Sequence, residues 1–199
     1  MVVATKHEGI ILKTFFPYKQ KVMLLERSLG KIPAIPPSYN WQAGTRIAYC
    51  AHQQNTIHFL SEIELLSLPL EMGKGDIDFL HHVLELCYYY LSLGVPALQV
   101  YDLLALLYDP AYACPSNQFK LLYIFKLLLL LGMYPEDKQF QMLYFNQLAH
   151  EPIDTLLQEP LRLEVEQALD VWIRSCIALH PLYRHFNTRM SLGKSDRVS

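Results

Sequence analysis

The residues best suited to chemistry lie near the start of the chain, in Phe16-Pro17-Tyr18-Lys19-Gln20-Lys21. Two aromatic rings and two ammonium groups in six positions is a pattern for binding, not for catalysis. Rings stack on exposed nucleobases, and ammonium groups neutralise the phosphates beside them. Further rings follow at Tyr39, Trp41 and Tyr49, with Phe15 just before, and further cations at Lys13, Arg27, Lys31 and Arg46. Residues 1–60 hold seven basic and two acidic residues, a balance of +5, whereas residues 61–199 carry −7. That asymmetry suggests two parts with different partners.

No catalytic pattern stands beside this one. The chain has no P-loop, no GxGxxG, no GxSxG and no HExxH. The adjacent pair His81-His82 points in two directions about 100° apart on a helix and reads as helix-surface polarity. His81 and Glu85 share a face, but two ligands are too few for a metal. The four cysteines, Cys50, Cys87, Cys114 and Cys176, form no CxxC pair and read as free buried thiols in a reducing compartment. No nucleophile–base pair is visible, so the chain reads as a non-enzyme without a cofactor.

Two other clusters suit partner binding. Tyr88-Tyr89-Tyr90 faces three helix directions, so at least one ring should border a surface groove. Arg184 and Arg189, with His180 and His185, form a basic C-terminal cluster that fits phosphate, an acidic peptide or the end of a solvated helix.

The elements that must position these residues change character along the chain. Its 199 residues are 52% hydrophobic and 18% charged, with a net charge of −2, which suits a folded core and excludes disorder. Five short apolar or β-branched runs, Glu8–Lys13, Lys21–Glu26, Lys31–Ile35, Thr45–Cys50 and Thr56–Leu65, are separated by turn residues and predict a small closed barrel, OB-like or SH3-like. Pro33 marks its strand as an edge or bulged one. After Pro69 the spacing turns helical. Asp76 would cap a helix to Leu93 with a stripe of Ile77, Leu80, Leu84, Cys87 and Leu91, stopped by Gly94. Further helices are predicted over 97–108, over 116–131 with a stop at Gly132, and over 160–179. The last carries Leu161, Val165, Leu169, Trp172, Cys176 and Leu179 as one stripe and Pro160 at its first position. Residues 138–158 read as one short helix and a connection broken at Pro152. The fold class is therefore α+β with two domains, a barrel over 1–70 and an all-α domain over 71–199.

The N-terminus lacks the long apolar run of a signal peptide. The most apolar stretch, Leu121 to Tyr134, is 14 residues long and includes Lys126, whereas a membrane span needs about 20. It reads as a buried helix.

The order of segments resembles RecO-type recombination mediators. Glu8-Gly9-Ile10-Ile11-Leu12-Lys13-Thr14, then Tyr18, Met23-Leu24-Leu25 and Leu29-Gly30-Lys31-Ile32, is similar to their opening strands and Tyr-containing turn. Phe125 to Glu136 (FKLLLLLGMYPE) looks like their central helix with its Leu-Leu-Gly-x-x-Pro-Glu ending. Trp172-Ile173-Arg174 through Arg189-Met190-Ser191-Leu192 is similar to their C-terminal stretch.

The resemblance implies an N-terminal OB fold followed by helices. It also implies a bacterial, cytoplasmic, nucleoid-associated DNA-repair protein. Such a protein binds single- and double-stranded DNA, anneals strands and loads recombinase on DNA coated by single-strand-binding protein. The partners it implies are RecR and the acidic C-terminal tail of single-strand-binding protein. The chain departs from the pattern in two places. Residues 136–159 contain no cysteine where many members carry a four-cysteine zinc module, so no metal is carried over. Ile35-Pro36-Pro37-Ser38-Tyr39-Asn40-Trp41 stands where members have a basic segment, and Lys19 and Lys21 stand where their Tyr-turn is acidic.

On this reading Lys13, Lys19, Lys21, Arg27, Lys31 and Arg46 contact phosphates, and Tyr18 and Trp41 stack on bases. Tyr88, Tyr89, Arg184 and Arg189 would hold partners. If about five phosphates are neutralised, log K should fall with log salt at a slope of about −3.5 for single strands. The competing reading is a protein–protein adaptor that works through the helical domain and has lost its DNA surface. The two are separated by whether the N-terminal basic residues converge on one face.

Overall fold

A computed structural model describes residues 6–15, 17–38, 41–112, 115–135 and 145–186. All five predicted strands form: β1 (His7–Thr14), β2 (Val22–Glu26), β3 (Gly30–Ile35), β4 (Arg46–Gln54) and β5 (Ile57–Ser67). They close into a barrel in the order β1-β2-β3-β5-β4. Every pair is antiparallel except β3–β5, which is parallel and joins Ala34 to His58 and Ile35 to Phe59. This is an OB-like barrel. Alternate residues fill its interior: Ile11, Val22, Leu24, Ile32, Ala34, Ile47, Tyr49 and Leu60, with Trp41 and Ile63 packed against them.

Pro33 does not make its strand an edge or a bulged one, because β3 lies between β2 and β5 in the closed barrel and keeps an unbroken register with β2. The proline sits opposite Met23 on β2, and pairing with β5 begins only at the next residue. The β2–β3 turn is fastened by the buried carboxylate of Glu26, which accepts the Ser28 N–H at 2.7 Å, the Ser28 hydroxyl and the Leu29 N–H. Gly30 follows at φ +75°, and a Cβ there would lie 1.7 Å from the Val95 carbonyl oxygen. Only glycine fits that approach.

The helical part comprises α1 (Leu70–Tyr90), α2 (Leu98–Ala105), α3 (Asn117–Leu130), α4 (Asn146–His150), α5 (Ile153–Leu156) and α6 (Leu163–Leu179). Asp76 does cap a helix: its carboxylate accepts the Phe79 N–H at 2.9 Å. A preceding turn continues into that helix across non-helical backbone at Asp76.

The helix ends at Tyr90, earlier than the sequence predicts. Leu93 bridges to Lys31 instead, and Gly94, at φ +67°, donates its N–H to the Lys31 carbonyl. Ile77, assigned to the buried stripe, is 46% exposed. The buried face of α1 runs through Phe79, Leu80, Val83, Leu84, Leu86 and Cys87. His82 is buried within it, so the His81-His82 pair is not a pair of surface residues.

Helix α3 is capped by the Ser116 side chain on the Phe119 N–H and stops at Gly132, φ +86°. Helix α6 begins at Leu163 rather than at Pro160. The Gln118 amide explains this, since it donates to the carbonyls of Leu156 and Glu159 and holds the connection off a helical path. Leu179, placed on the buried stripe, is exposed, and Ile173 takes an inward place on α6. Beyond Pro152 the chain makes the short helix α5 where the sequence predicts only a connection. Lys126, one of two lysines in the leucine-rich α3, donates to the carbonyls of Leu148, Ala149 and Glu151 at the end of α4. A cation at a helix C-terminus satisfies carbonyls that the helix leaves open.

The chain divides into two compact units, Met1–Cys114 and Pro115–Ser199. Helices α1 and α2 thus group with the barrel, whereas the change in periodicity places a boundary near residue 70. Among the described residues no helix is long and apolar enough to cross a membrane.

Candidate nucleic-acid interface

The eight residues expected at nucleic acid separate into two groups. The first is engaged by α1 and α2. The Lys13 ammonium lies 4.5 Å from the Tyr88 ring centroid, 5.6 Å from that of Tyr89 and 5.9 Å from that of Phe15. Lys31 is buried, donates to the Tyr88 carbonyl at 2.6 Å and sits 5.4 Å from the same ring. Burial holds its pKa below the ordinary lysine value. Arg46 pairs with Glu8 at 2.9 Å and donates from Nε to the Tyr101 hydroxyl. Arg27 pairs with Asp102 at 3.6 Å, with both side chains about half exposed. Lys31 is therefore turned into the fold and not presented to a phosphate.

The second group surrounds the β1–β2 loop. Lys19 and Lys21 line a shallow depression together with Thr14, Gln20, Pro36 and Trp41. Backbone bonds close the loop: Phe15 N–H to Lys21 and Lys19 N–H to Phe15, each at 3.1 Å. The Gln20 amide ties it to the Pro36 carbonyl at 2.6 Å. The lysines are thus carried by a fixed loop, and neither has a carboxylate partner among the described residues. Tyr18 projects from the loop and is 91% exposed. Trp41 differs: it is half-buried against the core and its indole nitrogen is inaccessible, so only part of the ring reaches the depression.

The stretch of chain that carries these residues is poor in negative charge. From Gly9 to Ser61 the only acidic residue is Glu26, and its carboxylate is buried in the β2–β3 turn. One outward ring pair escapes the sequence reading. His52 and Phe59 stack at 5.2 Å with an interplanar angle of 13°. They lie seven positions apart in sequence, and only the hairpin register makes them neighbours.

The expected partner residues are dispersed. Tyr88 and Tyr89 meet edge-on at 4.9 Å, half-buried, with Tyr88 facing the barrel lysines. Arg184 is exposed in a short turn of 3-10 helix. Arg189 lies outside the described residues, as do Phe16, Tyr39 and Cys114. Cys50, Cys87 and Cys176 are free and buried. Among the described residues no group of three metal-ligating side chains comes together. No protein-family model matches the chain, and no curated protein sequence matches it.

Proposed function

We propose that this chain is a non-enzymatic, RecO-like mediator of DNA repair and recombination. Its barrel binds DNA and helps complementary strands anneal, and it acts in a bacterial cytoplasm on DNA coated by single-strand-binding protein. RecR and the tail of single-strand-binding protein remain the partners suggested by the sequence resemblance. The observation that carries the reading is the fixed β1–β2 loop on an OB-like barrel. It sets Lys19 and Lys21 free of carboxylates beside Trp41, with Tyr18 exposed next to them. In OB folds this loop commonly faces an oligonucleotide.

The test is fluorescence anisotropy of a labelled single-stranded oligonucleotide at about 50 and 200 mM salt, an interval over which phosphate contacts lose affinity. With Lys19 and Lys21 as the principal phosphate contacts the slope of log K against log salt is about −1.4, shallower than six cations would give. Replacing both by alanine flattens it. Unchanged affinity and slope in that double variant would reject their role. Accelerated annealing of complementary oligonucleotides tests the mediator part separately.

One observation favours the adaptor reading. Four of the N-terminal cations are held by tyrosines or carboxylates of the first unit. Absence of any DNA binding at low salt would decide for the adaptor.

A further inference from the structure

The outer face of the barrel carries a row of side chains whose membership follows from register. Ala34 and Leu60 point into the core, so their neighbours Ile35 and Phe59 point outward. Ile35 and Phe59 are partners across β3–β5, and Phe59 and His52 are partners across β4–β5. On β2, Val22 is the partner of Ala34 and also faces the core. Lys21, one residue earlier, lines the β1–β2 depression together with Pro36, the residue that follows Ile35. Ile35, Phe59 and His52 make a row about 10 Å long, two strand spacings, and the depression lined by Lys21 and Pro36 lies at its Ile35 end.

The chemistry of the row changes from end to end. At one end are the Lys21 ammonium and the depression it shares with Lys19. At the other is the His52–Phe59 stack, with His52 exposed and Phe59 half-buried. Beyond it lie the exposed amides of Gln53, Gln54 and Asn55 at the hairpin tip. No acidic residue occurs from Arg27 through Ser61, which includes all of β3, the hairpin tip and the first half of β5. An apolar peptide would have no use for Lys19 and Lys21, which have no carboxylate partner among the described residues, and a duplex keeps its base faces stacked on one another. A single strand uses both ends, phosphates on the ammonium groups and base faces on the rings.

We propose that the His52–Phe59 stack is a base-stacking platform for a single-stranded nucleic acid whose phosphates lie on Lys19 and Lys21. This rests on the DNA-binding reading above and names the class of strand and a contact residue the sequence did not single out. The experiment compares two labelled probes of equal length with the full chain, oligo-dT and a strand of abasic sites. The two carry the same phosphates, but only the first has bases to stack.

The intact protein is expected to bind oligo-dT about tenfold more tightly than the abasic strand, the scale of one stacked base. His52→Ala removes that preference by weakening oligo-dT binding alone. His52→Phe keeps it. Lys19→Ala with Lys21→Ala weakens both probes by the same factor. Circular dichroism confirms that each variant is folded. Equal affinity of the intact protein for the two probes overturns the platform while leaving DNA binding intact, and so does a preference undiminished in folded His52→Ala. Binding of neither probe at low salt overturns the DNA-binding reading and the platform with it.

Discussion

Lys19, Lys31 and Lys126 are the same residue in three electrostatic settings. Lys19 keeps its hydration on an exposed loop. Lys31 gives up water for one carbonyl and the face of Tyr88, and its pKa falls because burial disfavours the charged form. Lys126 trades water for three carbonyls, and burial again lowers its pKa. Sequence separates none of these cases, since Lys31 lies in the same basic stretch as Lys19 and its partner is 57 positions away. The consequence is testable at this scale. Lys31→Ala removes a buried hydrogen bond and leaves the Tyr88 carbonyl without its donor, which costs about 2 kcal/mol in urea unfolding. It leaves the salt dependence of DNA binding unchanged. A flattened slope in that variant would show that Lys31 reaches phosphate after all.

At the level of elements, legibility followed the range of the interactions that fix each boundary. The Ser116 cap and the Gly132 stop of α3 act within one helical turn and were readable. The start of α6 and the end of α1 depend on Gln118 and on Lys31, residues of other elements, and were not. The packing of α6 against α3 includes the edge-to-face pair Phe125–Trp172 at 5.4 Å. Cys176, on the buried side of α6, has a thiol that burial pushes up to about 11 from an ordinary 9.0. Raised in the folded state, this group favours folding below pH 9, where both states keep the proton. The advantage is lost as pH rises from 9 to 11, because only the unfolded chain gives the proton up early. About 2 kcal/mol of stability should disappear over that window. In Cys176→Ala the decline should be shallower by that amount, read from urea midpoints at pH 8.5 and pH 11. An equal decline in both proteins would assign the pH dependence to other groups.

For the molecule as a whole, the change from alternating to helical spacing after Pro69 was visible, yet it does not coincide with the limit of the first compact unit. Periodicity reports local geometry, whereas a unit is defined by what its side chains need. Five barrel groups find partners beyond residue 70: Lys13 and Lys31 at Tyr88, Arg27 at Asp102, Arg46 at Tyr101, and the Gly44 carbonyl at the Tyr108 hydroxyl. Val95 closes over Gly30, which side-chain patterning could not reveal because the contact is between backbones. A barrel cut at residue 70 would leave those groups unpartnered and would expose the residues that α1 covers. A fragment of residues 1–114 is therefore expected to unfold in one cooperative urea transition, while residues 1–70 alone give no such transition. The longer fragment should also keep the affinity and salt slope of the full chain for a single strand, because the β1–β2 loop and the His52–Phe59 pair both lie within it. Cooperative unfolding of the shorter fragment would place the boundary where the periodicity changes. Full DNA affinity found only in the intact chain would move part of the interface to residues 115–199.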